Sequence, residues 1–107
     1  MTLREQRDRL RKNRELLYQF AEINGIPLQD GEGHRPYFVA VEYVRRKVGI
    51  LNSKHRQSLA FDLWITSEDG VKILWEDPRY EKLAVFWRSL GMTAGFFFKK
   101  KDAYHFE

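Results

Sequence analysis

The apolar positions in the first quarter of the chain recur at near-helical spacing. They run from about Leu3 to Asn24, and charged residues stand between them. Gly25 can cap a helix in the left-handed conformation, and Pro27 cannot continue one. The pattern therefore predicts an amphipathic N-terminal helix over residues 1–24.

Two further segments have helical spacing. Pro36 to Val48 begins with a proline suited to a first helical turn and carries apolar residues three and seven positions apart. From about Pro78 to Leu90, aromatic and aliphatic residues fall on one face, and Gly91 follows. For this aromatic stripe, core packing is the preferred interpretation over a ligand-binding role.

Period-two alternation predicts strands elsewhere. Ile26 to Gly33 is a short extended segment, and Ser58 to Thr66 alternates with β-branched and aromatic content. A turn follows, so Val71 to Leu74 is predicted to be the partner strand of a hairpin. The aromatic runs Phe96-Phe97-Phe98 and Tyr104-His105-Phe106 suit terminal strands on either side of a lysine loop.

Length and composition bound the function. The chain has 107 residues, so we expect a single domain over 1–107. It has no cysteine, which excludes disulfides, thiolate zinc ligands and a cysteine nucleophile. No apolar run suits a signal peptide or a membrane span, so we expect cytoplasmic synthesis and no membrane insertion. A net charge of +4 favours an anionic partner without naming it.

Three side chains form a candidate metal centre: His55, Asp62 and His105. Two imidazoles and one carboxylate can hold Zn²⁺ and leave its fourth position for water, the ligand count of a catalytic site. This needs His55 just before a strand, Asp62 within it and His105 on a neighbouring strand. Taken singly, each histidine would be interpreted as an ordinary surface or hydrogen-bonded residue.

Three charged residues have candidate roles around this centre. Asp102 stands three residues before His105 and could take a proton from water as water attacks a carbonyl; its alternative is a solvent-facing partner of the lysine run. Arg35 could clamp a substrate carboxylate or stabilise an oxyanion, or be a surface residue at a helix start. Glu107 could hydrogen-bond a ligand histidine, but an exposed position is the preferred interpretation.

The spacing of these residues matches a family. Ser53, His55, Ala60 and Asp62 resemble the pattern Ser-x-His-x-x-Gly-x-Ala-x-Asp, and Asp102 with His105 resembles a later Glu/Asp-x-x-His. These are motifs of the zinc D-alanyl-D-alanine and L-alanyl-D-glutamate peptidases, which include phage endolysins and vancomycin-resistance D,D-dipeptidases. The similarity spans about Leu16 to Glu107.

The resemblance implies an α+β fold, a small antiparallel sheet flanked by helices as in the Hedgehog/D,D-peptidase-like zinc fold. It also implies Zn²⁺ on His55, Asp62 and His105, Asp102 as general base, and Arg35 on the substrate. Ser53 is placed on the substrate-binding side, where its hydroxyl would fix the His55 loop.

The function so implied is zinc-dependent hydrolysis of a peptide bond in peptidoglycan stem peptides. The expected type is an L-Ala-D-Glu endopeptidase or a D-Ala-D-Ala carboxypeptidase, acting as a monomer in phage or prophage lysis after holin-type release. Two departures from the pattern concern specificity: Ser58 stands where the family usually has glycine, and Thr93-Ala94-Gly95 replaces a Trp-Gly-Gly-like stretch.

Two other functions compete with the peptidase. One is a non-catalytic cell-wall-binding or virion protein that keeps the fold, which the two departures favour. The other is a small nucleic-acid binder, which rests on net charge and on Lys99 to Lys101 alone. Because those lysines flank the candidate site, we expect no nucleic-acid partner.

Overall fold

A computed structural model describes residues 1–31 and 59–107 of the chain. In chain order the elements are helix α1 (Leu3–Ile23), strand β1 (Leu28–Asp30), strand β2 (Phe61–Ile65), helix α2 (Arg79–Ser89), a 3₁₀ turn (Gly95–Phe97) and strand β3 (His105–Phe106). The described part is a small α+β fold with a three-stranded antiparallel sheet in the order β1-β2-β3. The predicted helix over Pro36 to Val48 lies outside the described residues.

Helix α1 confirms the predicted N-terminal helix, and its ends have local causes. The Thr2 side chain accepts from the Glu5 backbone N–H while the Glu5 carboxylate accepts from the Thr2 N–H, both at 3.1 Å. This capping box satisfies two of the backbone donors that a helix start leaves open. At the other end Gly25 has a φ of 66°, a conformation that favours glycine. The buried face of α1 carries Leu10, Leu17 and Ala21.

Helix α2 confirms the predicted aromatic helix and forms the centre of the core. The Asp77 carboxylate accepts from the backbone N–H of Arg79 at 2.8 Å and so caps its start. Trp87 is fully buried. Its ring makes T-shaped contacts with the rings of Phe61 and Phe106, at centroid distances of 5.3 and 5.9 Å. The preferred interpretation of the aromatic stripe as core packing is thereby confirmed.

The side chains of strand β2 alternate between the two faces of the sheet. Phe61, Leu63 and Ile65 are fully buried against the helices, whereas Asp62 and Trp64 point to the other face because side chains alternate along a strand. The pairs Asp30 with Leu63 and Asp62 with His105 fix the registers of β1 and β3 on β2.

Two of the predicted strands are wrong. Val71 to Leu74 contributes only one isolated antiparallel bridge, between Thr66 and Ile73. Side chains take two of its backbone donors: the Asp69 carboxylate accepts from the N–H of Val71, and the Ser67 hydroxyl accepts from that of Lys72.

The second error is the Phe96-Phe97-Phe98 run, which forms the 3₁₀ turn and its exit. The Gly95 carbonyl accepts from the N–H groups of both Phe98 and Asp102, so the chain folds back on itself. Of the two terminal strands predicted, only the one containing His105 and Phe106 is present in the described residues.

No helix in the two described ranges combines the length and apolar character needed to cross a membrane.

Candidate metal centre

Asp62 and His105 lie directly opposite each other on β2 and β3. The N–H of Leu63 donates to the carbonyl of Tyr104 at 3.0 Å, which makes Asp62 and His105 a non-hydrogen-bonded pair. In such a pair the two Cβ atoms are about 4.5 to 5.5 Å apart and the side chains leave the same face of the sheet. The two residues are 2% and 6% exposed. The structure thus brings together two of the three predicted metal ligands.

A glycine flanks this pair on each side. Gly31 donates its N–H to the Asp62 carbonyl at 2.8 Å, and a Cβ built on Gly31 would lie 2.7 Å from that of Asp62. On the other side, a Cβ on Gly95 would lie 2.9 Å from that of His105 and would collide with the Asp102 carbonyl oxygen. Both positions therefore require glycine for close approach. Sequence analysis missed this role, because nothing in a single sequence indicates which strands will meet a glycine.

Asp102 lies in the turn that leads into β3. Its carbonyl accepts from the His105 N–H at 3.2 Å, and its carboxylate accepts from the Tyr104 N–H at 3.4 Å. A Cβ on Gly95 would lie 3.3 Å from the β-carbon of Asp102 and 2.9 Å from that of His105, so both side chains begin close to Gly95. Burial first, and then the charge of Asp102, raises the pKa of the Tyr104 phenol. The general-base candidate is therefore beside a metal-ligand candidate.

The Glu107 carboxylate contacts the His105 imidazole. Glu107 Oε1 lies 2.9 Å from His105 Nε2, and the two side chains are only 13% and 7% exposed. The preferred interpretation of Glu107 as an exposed residue is wrong, and the contact with His105 expected in the alternative is present, while the role of His105 as a metal ligand stays a prediction. Two backbone hydrogen bonds pair Glu107, two residues beyond His105, with Thr93.

The other predicted site residues lie outside the described ranges. These are the metal ligand His55, the substrate-side residues Arg35 and Ser53, and the variant position Ser58. Among residues 1–31 and 59–107 no group of three or more His, Cys, Asp or Glu side chains is arranged to hold a metal. The third ligand thus stays a prediction.

The donor chemistry of the described pair fits zinc. Carboxylate oxygen and imidazole nitrogen are both zinc ligands, and Asp62 and His105 supply one of each from adjacent strands. An ionised carboxylate can only accept a hydrogen bond, so a hydrogen bond in this contact has Nε2 of His105 as its donor. The other ring nitrogen, Nδ1, takes no part in this contact.

One comparison with known proteins found a similar chain, which is a peptidase. The solved structures include a similar chain, the L-Ala D-Glu endopeptidase ChiX of Serratia marcescens, with 30% sequence identity and a TM-score of 0.56. This chain is similar to a peptidase. The match covers 77% of this chain but 66% of ChiX, so the chain spans just under two thirds of that enzyme's length. No protein-family model and no curated protein matches. The similarity to ChiX supports a relation to peptidases in general.

Proposed function

We propose that this protein is a zinc-dependent peptidase that cleaves a peptide bond in peptidoglycan stem peptides. The observation that carries the proposal is the buried pair of Asp62 and His105, opposite each other on adjacent strands. The similarity to an L-Ala D-Glu endopeptidase supports the substrate class. In this proposal His55 is the third ligand, and the bond is of the L-Ala-D-Glu or D-Ala-D-Ala type.

The chemistry divides between the metal and Asp102. When bound, zinc would act as a Lewis acid, activating water and polarising the scissile carbonyl. Asp102 accepts a proton as the water oxygen bonds to the carbonyl carbon, and returns it to the nitrogen as the C–N bond breaks. The products are a carboxylate and an amine. The place of Asp102 in the turn before His105 supports this role, because a general base must reach the water without displacing a ligand.

Substrate binding is assigned to the part of the chain that carries Arg35 and Ser53. A guanidinium binds a carboxylate through two parallel hydrogen bonds, which suits the free carboxylates of stem peptides. Ser53 would fix the loop that bears His55.

The biological setting in this proposal is phage or prophage lysis. The protein would act as a monomer, be made in the cytoplasm and reach the wall after holin-type release. Its net charge of +4 suits an anionic cell-wall polymer.

Mass analysis of digested peptidoglycan tests the proposal. Purified sacculi are incubated with the protein, with the protein plus a chelator, and with chelated protein resupplied with zinc. L-Ala-D-Glu cleavage leaves peptides with a new D-Glu amino terminus, whereas D,D-carboxypeptidase action removes one alanine from each peptide. We expect one of these products with the untreated and resupplied protein only. Binding to sacculi with no cleavage product would favour the non-catalytic cell-wall protein.

A further inference from the structure

The Glu107 backbone is held by hydrogen bonds to Thr93 and Trp87. Its N–H donates to the Thr93 carbonyl at 2.9 Å, and its carbonyl accepts from the Thr93 N–H at 2.8 Å. The same Glu107 carbonyl, and that of Thr93, accept from the indole N–H of Trp87 at 3.1 Å. Because Trp87 is fully buried in α2, its hydrogen bond anchors Glu107 to the core.

The anchored carboxylate meets one side of the His105 ring. Glu107 Oε1 lies 2.9 Å from Nε2, while the Phe98 ring packs with its centroid 5.7 Å from the imidazole. The contact is shielded, since both side chains are mostly buried. A shielded hydrogen bond between a carboxylate and one ring nitrogen fixes both the orientation and the tautomer of an imidazole.

We infer that Glu107 is the positioning residue of the metal centre: its carboxylate holds His105 as the Nε2–H tautomer and presents Nδ1 to zinc. The inference rests on the proposed function and deepens it. Histidines that bind metals usually donate their other N–H to such a partner, and loss of the partner typically weakens metal binding by about 10- to 100-fold. Glu107 itself touches neither the metal nor the substrate in this assignment.

Two variants and one control test the inference. Glu107→Ala removes the acceptor, whereas Glu107→Gln keeps a neutral acceptor oxygen at the same position. Glu15→Gln, on the exposed surface of α1, changes the same side chain away from the site. Thermal unfolding of each metal-free protein establishes that it is folded before any further comparison.

The first readout needs no metal. The ¹⁵N chemical shifts of the His105 ring distinguish the two tautomers in the metal-free protein. We expect the Nε2–H form in the wild type, in Glu15→Gln and largely in Glu107→Gln, and a shift toward the other tautomer in Glu107→Ala. A wild-type ring that is not predominantly the Nε2–H form, or a tautomer unchanged in Glu107→Ala, would overturn the inference.

The second readout is zinc affinity, measured by competition with a chromophoric chelator. We expect Glu107→Ala to bind zinc about 10- to 100-fold more weakly, Glu107→Gln to lose less, and Glu15→Gln to equal the wild type. If Glu107→Ala binds zinc as tightly as the wild type, the inference is wrong while the peptidase proposal stands. If the wild type binds no zinc, the proposed function and the zinc half of this inference both fall, and the ring shifts decide whether Glu107 sets the tautomer.

Discussion

Phe61 stacks on Phe106 one residue away from the pair of Asp62 and His105. The two phenyl rings are 5.6 Å apart with an interplanar angle of 17°, on the core face of the sheet. Because a slip of one residue would move every side chain of a strand to the opposite face, this apolar pair fixes the register that brings Asp62 and His105 together. The polar site thus depends on the packing beneath it.

This dependence predicts that Phe61→Ala damages both stability and metal binding. Phe61 is fully buried against Trp87, so the cavity should lower the free energy of unfolding by about 3 to 5 kcal/mol. Urea unfolding measures this loss, and zinc titration should show weaker binding. Val85→Ala is the control: Val85 is on α2 but 46% exposed, and its loss should stay within about 0.5 kcal/mol. Equal losses for the two variants would contradict the assigned core.

Removal of either candidate ligand in the described residues should abolish stoichiometric zinc. Elemental analysis of the wild type should find one zinc per chain, and Asp62→Ala or His105→Ala should lose most of it, because a three-ligand site reduced to two ligands binds far more weakly. His55→Ala extends the test to the predicted third ligand. Asp8→Ala removes a carboxylate of α1 whose side chain is 50% exposed, and it should retain full zinc. Metal content unchanged in both Asp62→Ala and His105→Ala would refute the centre.

Asp102→Asn should separate catalysis from metal binding. Asparagine keeps the side-chain oxygen that accepts from the Tyr104 N–H, so the turn should persist. It cannot accept a proton from water, so hydrolysis should fall by about 10²-fold or more while zinc content stays at one per chain. Single-turnover release of stem peptides and elemental analysis of the same sample provide the two measurements. Full activity would assign the proton transfer to another group.

The main elements near the site could be predicted from sequence because their signals are local. Helix α1 has a capping residue, apolar spacing and a terminal glycine, and Phe61–Ile65 alternates along its whole length. These signals placed Asp62 within a strand, and the metal-centre hypothesis then required His105 on a neighbouring strand, where the structure has it.

The errors at the Phe96-Phe97-Phe98 run and at Glu107 arose where tertiary contacts override local preference. A run of three phenylalanines favours a strand by composition, but the close approach of Gly95 to Asp102 and His105 forces the 3₁₀ turn. The side chain of Glu107 also depends on distant residues, since Trp87 and Thr93 hold its backbone. Spacing along one sequence carries no information on such contacts.

Gly95→Ala should weaken the site through crowding. The added methyl group would press on His105 and the Asp102 carbonyl, and overpacking of this kind costs about 1 to 3 kcal/mol. We expect lower stability in urea together with weaker zinc binding. Gly70→Ala is the control, since Gly70 has open space around it but a φ of 75°, so alanine should cost about 1 to 2 kcal/mol and leave zinc affinity intact. Unchanged zinc affinity in Gly95→Ala would show that the site tolerates the methyl group.

The Tyr18 phenol predicts a specific loss of stability at alkaline pH. Its hydroxyl accepts from Arg14 on α1 and donates to the Asp30 carboxylate on β1 at 2.6 Å. Burial, followed by the hydrogen bond to Asp30, raises the pKa of Tyr18 to about 12.

The folded chain therefore keeps a proton that the unfolded chain loses near pH 10, so this contribution to stability is complete below about pH 10 and is lost as the pH rises to about 12. Burial also raises the pKa of Tyr80 and Tyr104, so the wild type alone cannot isolate Tyr18. The measurement is the difference in unfolding free energy between wild type and Tyr18→Phe from pH 8 to 12. The advantage of the wild type should be constant up to about pH 10 and shrink above it. A difference that does not change with pH would show that Tyr18 does not titrate with folding.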